Sequence, residues 1–171
     1  QNPPALYLTT KELDKVHELD FHRDLHPYYL KDGKVKALET IRFSITTHRG
    51  CYGECNFCAI AVHQGRSIRS RSEESIIQEA KVLTQHPLFK GIIFDVGGPT
   101  ANMYGIECSI KEKSGACKDK RCLFPKVCPS LNMHHDKQEH LLKRLRKLPK
   151  IKHIFVASGI RYDMILEDKK Y

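Results

Sequence analysis

Arg49-Gly50-Cys51-Tyr52-Gly53-Glu54-Cys55-Asn56-Phe57-Cys58 sets three cysteines within eight residues, spaced C-x3-C-x2-C. Thiolates this close in a chain can converge on one inorganic core, and Gly50 and Gly53 let the backbone turn tightly enough to aim them inward. The number of thiolates narrows the choice of core. A structural zinc wants four ligands, usually offered as two close pairs. A cubane [4Fe–4S] cluster has four irons, so three thiolates leave one iron open to a substrate or cofactor. Half a zinc site completed by distant residues, or reduced thiols in a loop, are the alternatives on spacing alone. Context decides between them, and the context a cluster loop needs is a strand running in and a helix leaving.

Both are present. Ile41 to Thr47 alternates apolar and polar residues, is rich in β-branched types, and reads as a strand delivering the chain to the loop. Beyond the loop, Ser72 reads as an N-cap with Glu73 and Glu74 at the positive end of a helix dipole. Ile76, Ile77, Ala80 and Leu83 then recur at helical spacing, which predicts an amphipathic helix over 73–86 ended by Pro87. Gly91 to Val96 is a short apolar run suited to a buried parallel strand, with Gly97-Gly98-Pro99-Thr100 at its end. Residues 105–135 read as irregular, basic and cysteine-rich, too long for an ordinary connection. Asp136 with Glu139 predicts a capping box opening a second helix, whose stripe is Leu141, Leu142, Leu145 and Leu148. Lys143, Arg144, Arg146 and Lys147 fall on its outer, solvated face. His153 to Ser158 is a third strand, and a third helix starts near Tyr162.

Strand, helix, strand, helix, strand is the order of two right-handed βαβ units in a parallel sheet. Chemistry in such sheets gathers at the C-terminal strand ends. The cysteine loop, Gly97-Gly98 and Ser158-Gly159 all fall there. Residues 1–37 form a leader expected to pack along the main domain, 38–171. Within the leader, Leu8 to Leu19 suits a helix capped by Thr9 or Thr10, with Glu12 nearby. His22 to Tyr29 reads as extended, and Asp32-Gly33 as a turn.

The 171 residues suffice for one domain with a real core. No apolar run approaches the ~18 residues of a membrane span. Gln1-Asn2-Pro3-Pro4 opens without a basic or apolar targeting region, and the missing initiator Met suggests an internal fragment. Seven cysteines, an odd and clustered set, argue for metal ligation in a reducing cytoplasm over a disulfide framework. The net charge of +9 suits a nucleic-acid partner, or nothing beyond solubility. Its local excesses lie between Lys111 and Arg121 and between Lys137 and Lys150, and no aromatics interleave with the second.

With these elements in place the sequence resembles a known family. C-x3-C-x2-C with an aromatic before its last cysteine is the pattern of radical S-adenosylmethionine (SAM) enzymes. Arg42-Phe43-Ser44-Ile45, His48-Arg49-Gly50-Cys51, Cys58-Ala59-Ile60, Gly65-Arg66-Ser67-Ile68, the run from Asp95 to Gly105, and Ala157 to Asp163 look like the YgiQ-type members of that superfamily. The resemblance covers most of 38–163. It implies an α/β fold, part of a radical SAM (βα)6 partial TIM barrel with a cysteine-rich insertion at 105–135, of which about half the units are present. It implies a [4Fe–4S] cluster on Cys51, Cys55 and Cys58. That cluster reduces SAM to a 5′-deoxyadenosyl radical and draws on an electron donor. Phe57 sits where the family places an aromatic beside the adenine, and a core aromatic covering the cluster is its plain structural reading. Gly97, Gly98 and Pro99 occupy the position whose backbone holds the SAM amino group. Other members often carry Glu where Pro99 stands, so carbonyls, aided by Thr100 or Asn102, must serve instead. Ser158 and Arg161 follow the third strand, where they could reach the SAM carboxylate or ribose. A tight turn at Gly97-Gly98 and an exposed salt bridge at Arg161 are the bland alternatives. No residue is marked as catalytic, and the substrate is open, RNA included.

Cys108, Cys117, Cys122 and Cys128 form a second group, more loosely spaced than a zinc ribbon. Four soft ligands suit a tetrahedral zinc or an auxiliary iron–sulfur cluster, with His134 and His135 in reserve, and a metal would explain how a loop with little apolar content is ordered. Unligated thiols are the alternative. The rival to a radical enzyme is a zinc-stabilised nucleic-acid-binding module, in which both cysteine groups are structural.

Overall fold

The computed structural model describes residues 6–170. The opening Gln1-Asn2-Pro3-Pro4, read above for its lack of a targeting region, lies outside them, as does Tyr171. The chain begins with helix α1 (Thr10–His17), then a 3₁₀ turn (Pro27–Asp32), α2 (Lys36–Ile41), strands β1 (Ser44–Thr46) and β2 (His48–Arg49), α3 (Ile60–Gln64), β3 (Arg69–Ser70) and α4 (Glu73–Leu83). It continues with β4 (Ile92–Ile93), β5 (Asp95–Gly97), a second 3₁₀ turn (Ala101–Met103), α5 (Ser109–Ser114), α6 (Asp136–Arg146), β6 (His153–Ile154) and α7 (Tyr162–Glu167).

The architecture is mixed α/β with short parallel pairings. β1 pairs with β5, Ile45 opposite Val96, and β4 pairs with β6, Ile93 opposite Ile154. β4 and β5 are one run of backbone interrupted at Phe94, whose N–H leaves the ladder for the Phe43 carbonyl. That run therefore lies between β1 on one side and β6 on the other, all parallel. β2 and β3 form a small antiparallel pair that closes the cysteine loop at its base.

Local signals set the helix starts. Thr9 and Glu12 make a complete capping box on α1, and Ser72 accepts from the Ser75 N–H at the start of α4. The leader rests on the body: Leu13 is buried, Thr10 donates to the Ser70 carbonyl, and Asp14 accepts from the Ser72 N–H. Under the parallel run, Phe43, Ile45, Ile93 and Val96 meet Ile76, Ile77, Ala80 and Leu83 of α4 and Leu141 and Leu145 of α6. Periodicity of 3.6 on the helices and 2 on the strands builds this cluster. Buried Arg71 and half-buried Arg23 share Glu79, which ties the end of β3, α4 and the leader together by ion pairs.

Several expectations change. The first strand starts at Ser44 and not at Ile41, because α2 runs through Ile41 and Arg42 still has helical backbone angles. Pro27 opens a 3₁₀ turn where an extended segment was expected. The helix expected over 73–86 ends at Leu83, with Thr84 as its C-cap. No capping box forms at Asp136: His135 is the N-cap and its ring makes no capping bond, while Glu139 pairs with Lys143. The third strand stops after Ile154 because the N–H groups of Ala157 and Ser158 are taken by the Asp95 carboxylate. The 105–135 connection is neither irregular throughout nor poor in core. It contains α5 and a bridge between Cys108 and Leu131, and it contributes Ile106, Leu123, Leu131 and Met133 to a second apolar cluster beneath the cysteine loop. That cluster gives the connection a source of order that needs no metal.

Candidate functional site

The strand β1, the pair β2–β3 and helix α3 hold the cysteine loop from three sides. Gly50, at φ +88°, turns the chain into it, and Cys51 donates its N–H to the Gly65 carbonyl. Cys51 is buried, with Tyr52 beneath it. Tyr52 donates its hydroxyl to the Ile106 carbonyl and carries the Lys111 ammonium 5.0 Å from its ring centroid. Cys55 and Cys58 are half-buried, and the Cys58 N–H bonds to the Cys55 carbonyl at 3.0 Å. All three thiols are free.

These cysteines line a cavity of about 340 Å³ together with Phe57, Pro99, Thr100 and Arg161. Three stretches of chain, 51–61, 99–100 and 159–161, meet in that cavity's wall because the C-terminal ends of β1, β5 and β6 point the same way. Thr100 Oγ1 lies 3.6 Å from Cys51 Sγ, and Gly53 donates its N–H to the same sulfur at 3.3 Å. A Cβ at Gly53 would stand 3.3 Å from Cys51 Sγ, 3.5 Å from Cys55 Sγ and 3.0 Å from Arg161 Nη1, so the absent side chain leaves the sulfurs a cradle. Among the described residues no three Cys, His, Asp or Glu side chains stand close enough to hold one metal ion. A tetrahedral zinc needs its sulfurs about 3.8 Å apart. A cubane separates its thiolates by its own width and asks for wider spacing. Three free thiols around a cavity, with a backbone N–H and a guanidinium aimed at sulfur, are a donor set that fits such a cluster.

The remaining sequence-selected residues fall as follows. Phe57 lines the cavity but is 93% exposed, so it is not a core aromatic. Pro99 also borders an adjoining cleft of about 210 Å³ formed by Gly97, Gly98, Ser158 and Gln64. Ser158 donates its hydroxyl to Asp95. Arg161 pairs with Asp163 and donates from Nη1 to Cys55 Sγ at 3.2 Å, so its partners lie within the chain. The two glycines have packing reasons of their own. A Cβ at Gly97 would meet Ser158 Cβ at 2.8 Å, and one at Gly98 would meet the His48 ring at 2.6 Å.

In the second group, Cys108 and Cys122 are buried and Cys117 and Cys128 half-buried. Cys108, Cys122 and Cys128 share the apolar cluster under the loop, while Cys117 is outside it. Burial pushes the Cys122 thiol up, with nearby Lys111 opposing, and the Ser130 backbone holds the Cys128 thiol down. His135 does not join these cysteines: its Nδ1 meets Asp168 Oδ2 at 2.8 Å and its Nε2 meets Asn102 Nδ2 at 3.3 Å. Sequence reasoning missed this buried network, because its members are 33 residues apart in the chain and no spacing marks them.

His48, fully buried against Gly98, also escaped notice. Burial pushes its pKa down from 6.5 to about 4, the Thr100 backbone partly opposing. A depressed imidazole binds its proton later in the folded than in the unfolded chain. Its contribution is therefore intact above pH 6.5 and is lost as pH falls toward 4, by about 3 kcal/mol in all. Denaturant unfolding at pH 7 and pH 4.5 should show the advantage of the wild type over His48→Gln shrinking by about 2–3 kcal/mol. An equal advantage at both pH values would rule out a neutral, buried His48.

The family described as Radical SAM N-terminal matches residues 1–44, the leader and the start of β1. A UPF0313 protein of Fusobacterium nucleatum is 61% identical over 170 residues, which is 99% of this chain and 30% of that protein. One from Methanosarcina mazei is 58% identical over 171 residues, all of this chain and 27% of its own length. One from Thermotoga petrophila is 50% identical over 169 residues. The chain thus spans less than a third of the length of these relatives. No solved structure matches. No helix among the described residues is long and apolar enough to cross a membrane.

Proposed function

We propose that this chain, similar over nearly all its length to UPF0313 proteins and matching the Radical SAM N-terminal family over residues 1–44, is the part of a radical SAM enzyme that carries a [4Fe–4S] cluster and SAM. When bound, this pair supplies a 5′-deoxyadenosyl radical that starts chemistry on a substrate by hydrogen abstraction. The observation that carries the proposal is the meeting of Cys51, Cys55 and Cys58 on one cavity at the C-terminal strand ends. In this reading the three thiolates hold the cluster, with the Arg161 guanidinium at Cys55 offsetting part of their charge. Phe57, Pro99, Thr100 and Arg161 wall the SAM side of the cavity, with Gly97, Gly98 and Ser158 shaping the neighbouring cleft.

Parallel order around the β4–β5 run supports the start of a (βα)6 partial barrel of the YgiQ type, with 1–37 as leader and 38–171 as core. An electron donor and a reducing, cytoplasmic setting follow from the same chemistry. Cys108, Cys122 and Cys128 are proposed as a second site for zinc or an auxiliary cluster, which Cys117 would complete by moving inward. Metal content that is equal in the wild type and in the variant with all four changed to Ser would dismiss that second site.

The test is anaerobic reconstitution of the full-length protein with iron and sulfide, followed by reduction in the presence of SAM. Brown protein that releases 5′-deoxyadenosine supports the proposal. Colourless protein that takes up stoichiometric zinc and no iron would favour the nucleic-acid-binding module instead.

A further inference from the structure

A continuous hydrogen-bonded chain runs from the last helix to the cysteine loop. Asp168 accepts from both the backbone N–H and the ring of His135. The other ring nitrogen of His135 meets Asn102, which is wholly buried. Asn102 then grips the backbone of Arg161 twice, accepting its N–H at 2.9 Å and donating to its carbonyl at 3.0 Å. That clamp fixes where the Arg161 side chain starts. Its fork is fixed in turn by Asp163, which takes Nε at 3.0 Å and also Nη2. Nη1, which Asp163 does not hold, is aimed at Cys55 Sγ at 3.2 Å. A Cβ at Gly53 would crowd this nitrogen, so the glycine also keeps the approach clear.

Nothing about holding a small anionic ligand requires such an arrangement. A guanidinium kept for a carboxylate would present its two-pronged edge to the cavity. Here Asp163 takes the Nε–Nη2 edge, and Nη1 is directed at sulfur. Hydrogen bonds to ligand sulfurs and local charge are among the levers that set an iron–sulfur potential. We propose that Arg161 tunes the redox potential of the cluster through Cys55, with Asn102 as its positioning residue and Asp163 as its counterweight. The proposal rests on the function proposed above. An N–H and a positive charge at a ligand sulfur favour the state with one more electron, so Arg161 raises the potential. Asp163 opposes it.

The experiment is a midpoint titration, followed by electron paramagnetic resonance, of the full-length protein reconstituted without SAM. Arg161→Gln should lower the midpoint by the equivalent of a tenfold change in the redox equilibrium, about 59 mV for one electron, with iron and sulfide unchanged. Asp163→Asn should move it the opposite way. Asn102→Ala, which leaves every atom of the Arg161 side chain in place, should lower it by less than Arg161→Gln does. Should that buried substitution fail to fold, the two surface-side variants still decide the matter. An unchanged midpoint in Arg161→Gln, or shifts of the same sign in Arg161→Gln and Asp163→Asn, overturns the inference, as does loss of the cluster in Arg161→Gln. These results leave the radical SAM reading standing if the wild type still holds a cluster and cleaves SAM. A wild type that takes up no cluster at all sinks both.

Discussion

Changing Cys51, Cys55 or Cys58 to alanine, one at a time, is expected to abolish the iron bound at the cavity. In the proposed site three thiolates are the whole protein ligand set, and loss of one would leave the core under-ligated on the side that Gly53 and Thr100 enclose. The loss should be nearly complete in each variant, since metal binding by a set of ligands is cooperative. Iron and acid-labile sulfide per chain, together with the visible and paramagnetic spectra, provide the readout. If the second cysteine group also binds iron, the expected result is a drop by one cluster and not a fall to zero. Cys51 is buried, so its variant needs a melting curve beside the iron assay; Cys55 and Cys58 are half-exposed and should leave stability nearly unchanged. Wild-type iron in all three variants would sink the assignment.

Gly50→Ala is expected to cost several kcal/mol of stability, on the order of 3–5, which places it in the exceptional class of point substitutions. Two effects combine. Gly50 sits at φ +88°, where an L side chain is strained by about 1 kcal/mol. A Cβ there would also be driven into the Ser67 carbonyl, reaching its carbon at 2.9 Å, and backbone cannot step aside as a side-chain tip can. The displaced segment leads into β3, so the base of the cysteine loop would open. Gly33→Ala is the natural control, because Gly33 has a similar φ of +95° and no atom within 4 Å of the added carbon. It should cost only about 1 kcal/mol. Equal losses for the two variants, measured by denaturant unfolding, would show that backbone angle alone and not the Ser67 contact controls the position.

What could be read from the sequence divides by distance along the chain. The caps at Thr9 and Ser72 were legible because each is closed within three residues. The faces of α4 and α6 were legible because periodicity reports burial directly. The cysteine loop stood out by its spacing, and the parallel order by the alternation of strand and helix patterns. Asp136 and Glu139 misled because the His135 N–H preceding them is held by Asp168, a residue no local rule would connect. The third strand misled for the same kind of reason, since a carboxylate on β5 replaces a strand as the partner of Ala157 and Ser158. Residues 105–135 were misjudged by average composition. Their few apolar side chains are concentrated on one interior surface, and composition does not record where side chains point. The leader gave no functional signal at all, yet the family match falls on it.

The interior is split between two apolar clusters, one joining the parallel strands to α4 and α6, the other joining the cysteine loop to the 105–135 connection and Met164 of α7. Cooperative unfolding units tend to follow such boundaries, and segments with less regular hydrogen bonding open at lower free energy. The strands and long helices belong to the first unit. The loop, α5 and the short pairing of Cys108 with Leu131 belong to the second. A partial opening of the second unit would expose Cys51, Cys108, Cys122 and Cys128 together, beside the already half-exposed Cys55, Cys58 and Cys117, while the first stays closed. If the proposed function holds, delivery of iron and sulfide would act on a chain that is already folded, and the parts that receive the cluster need not be the parts that hold the protein together.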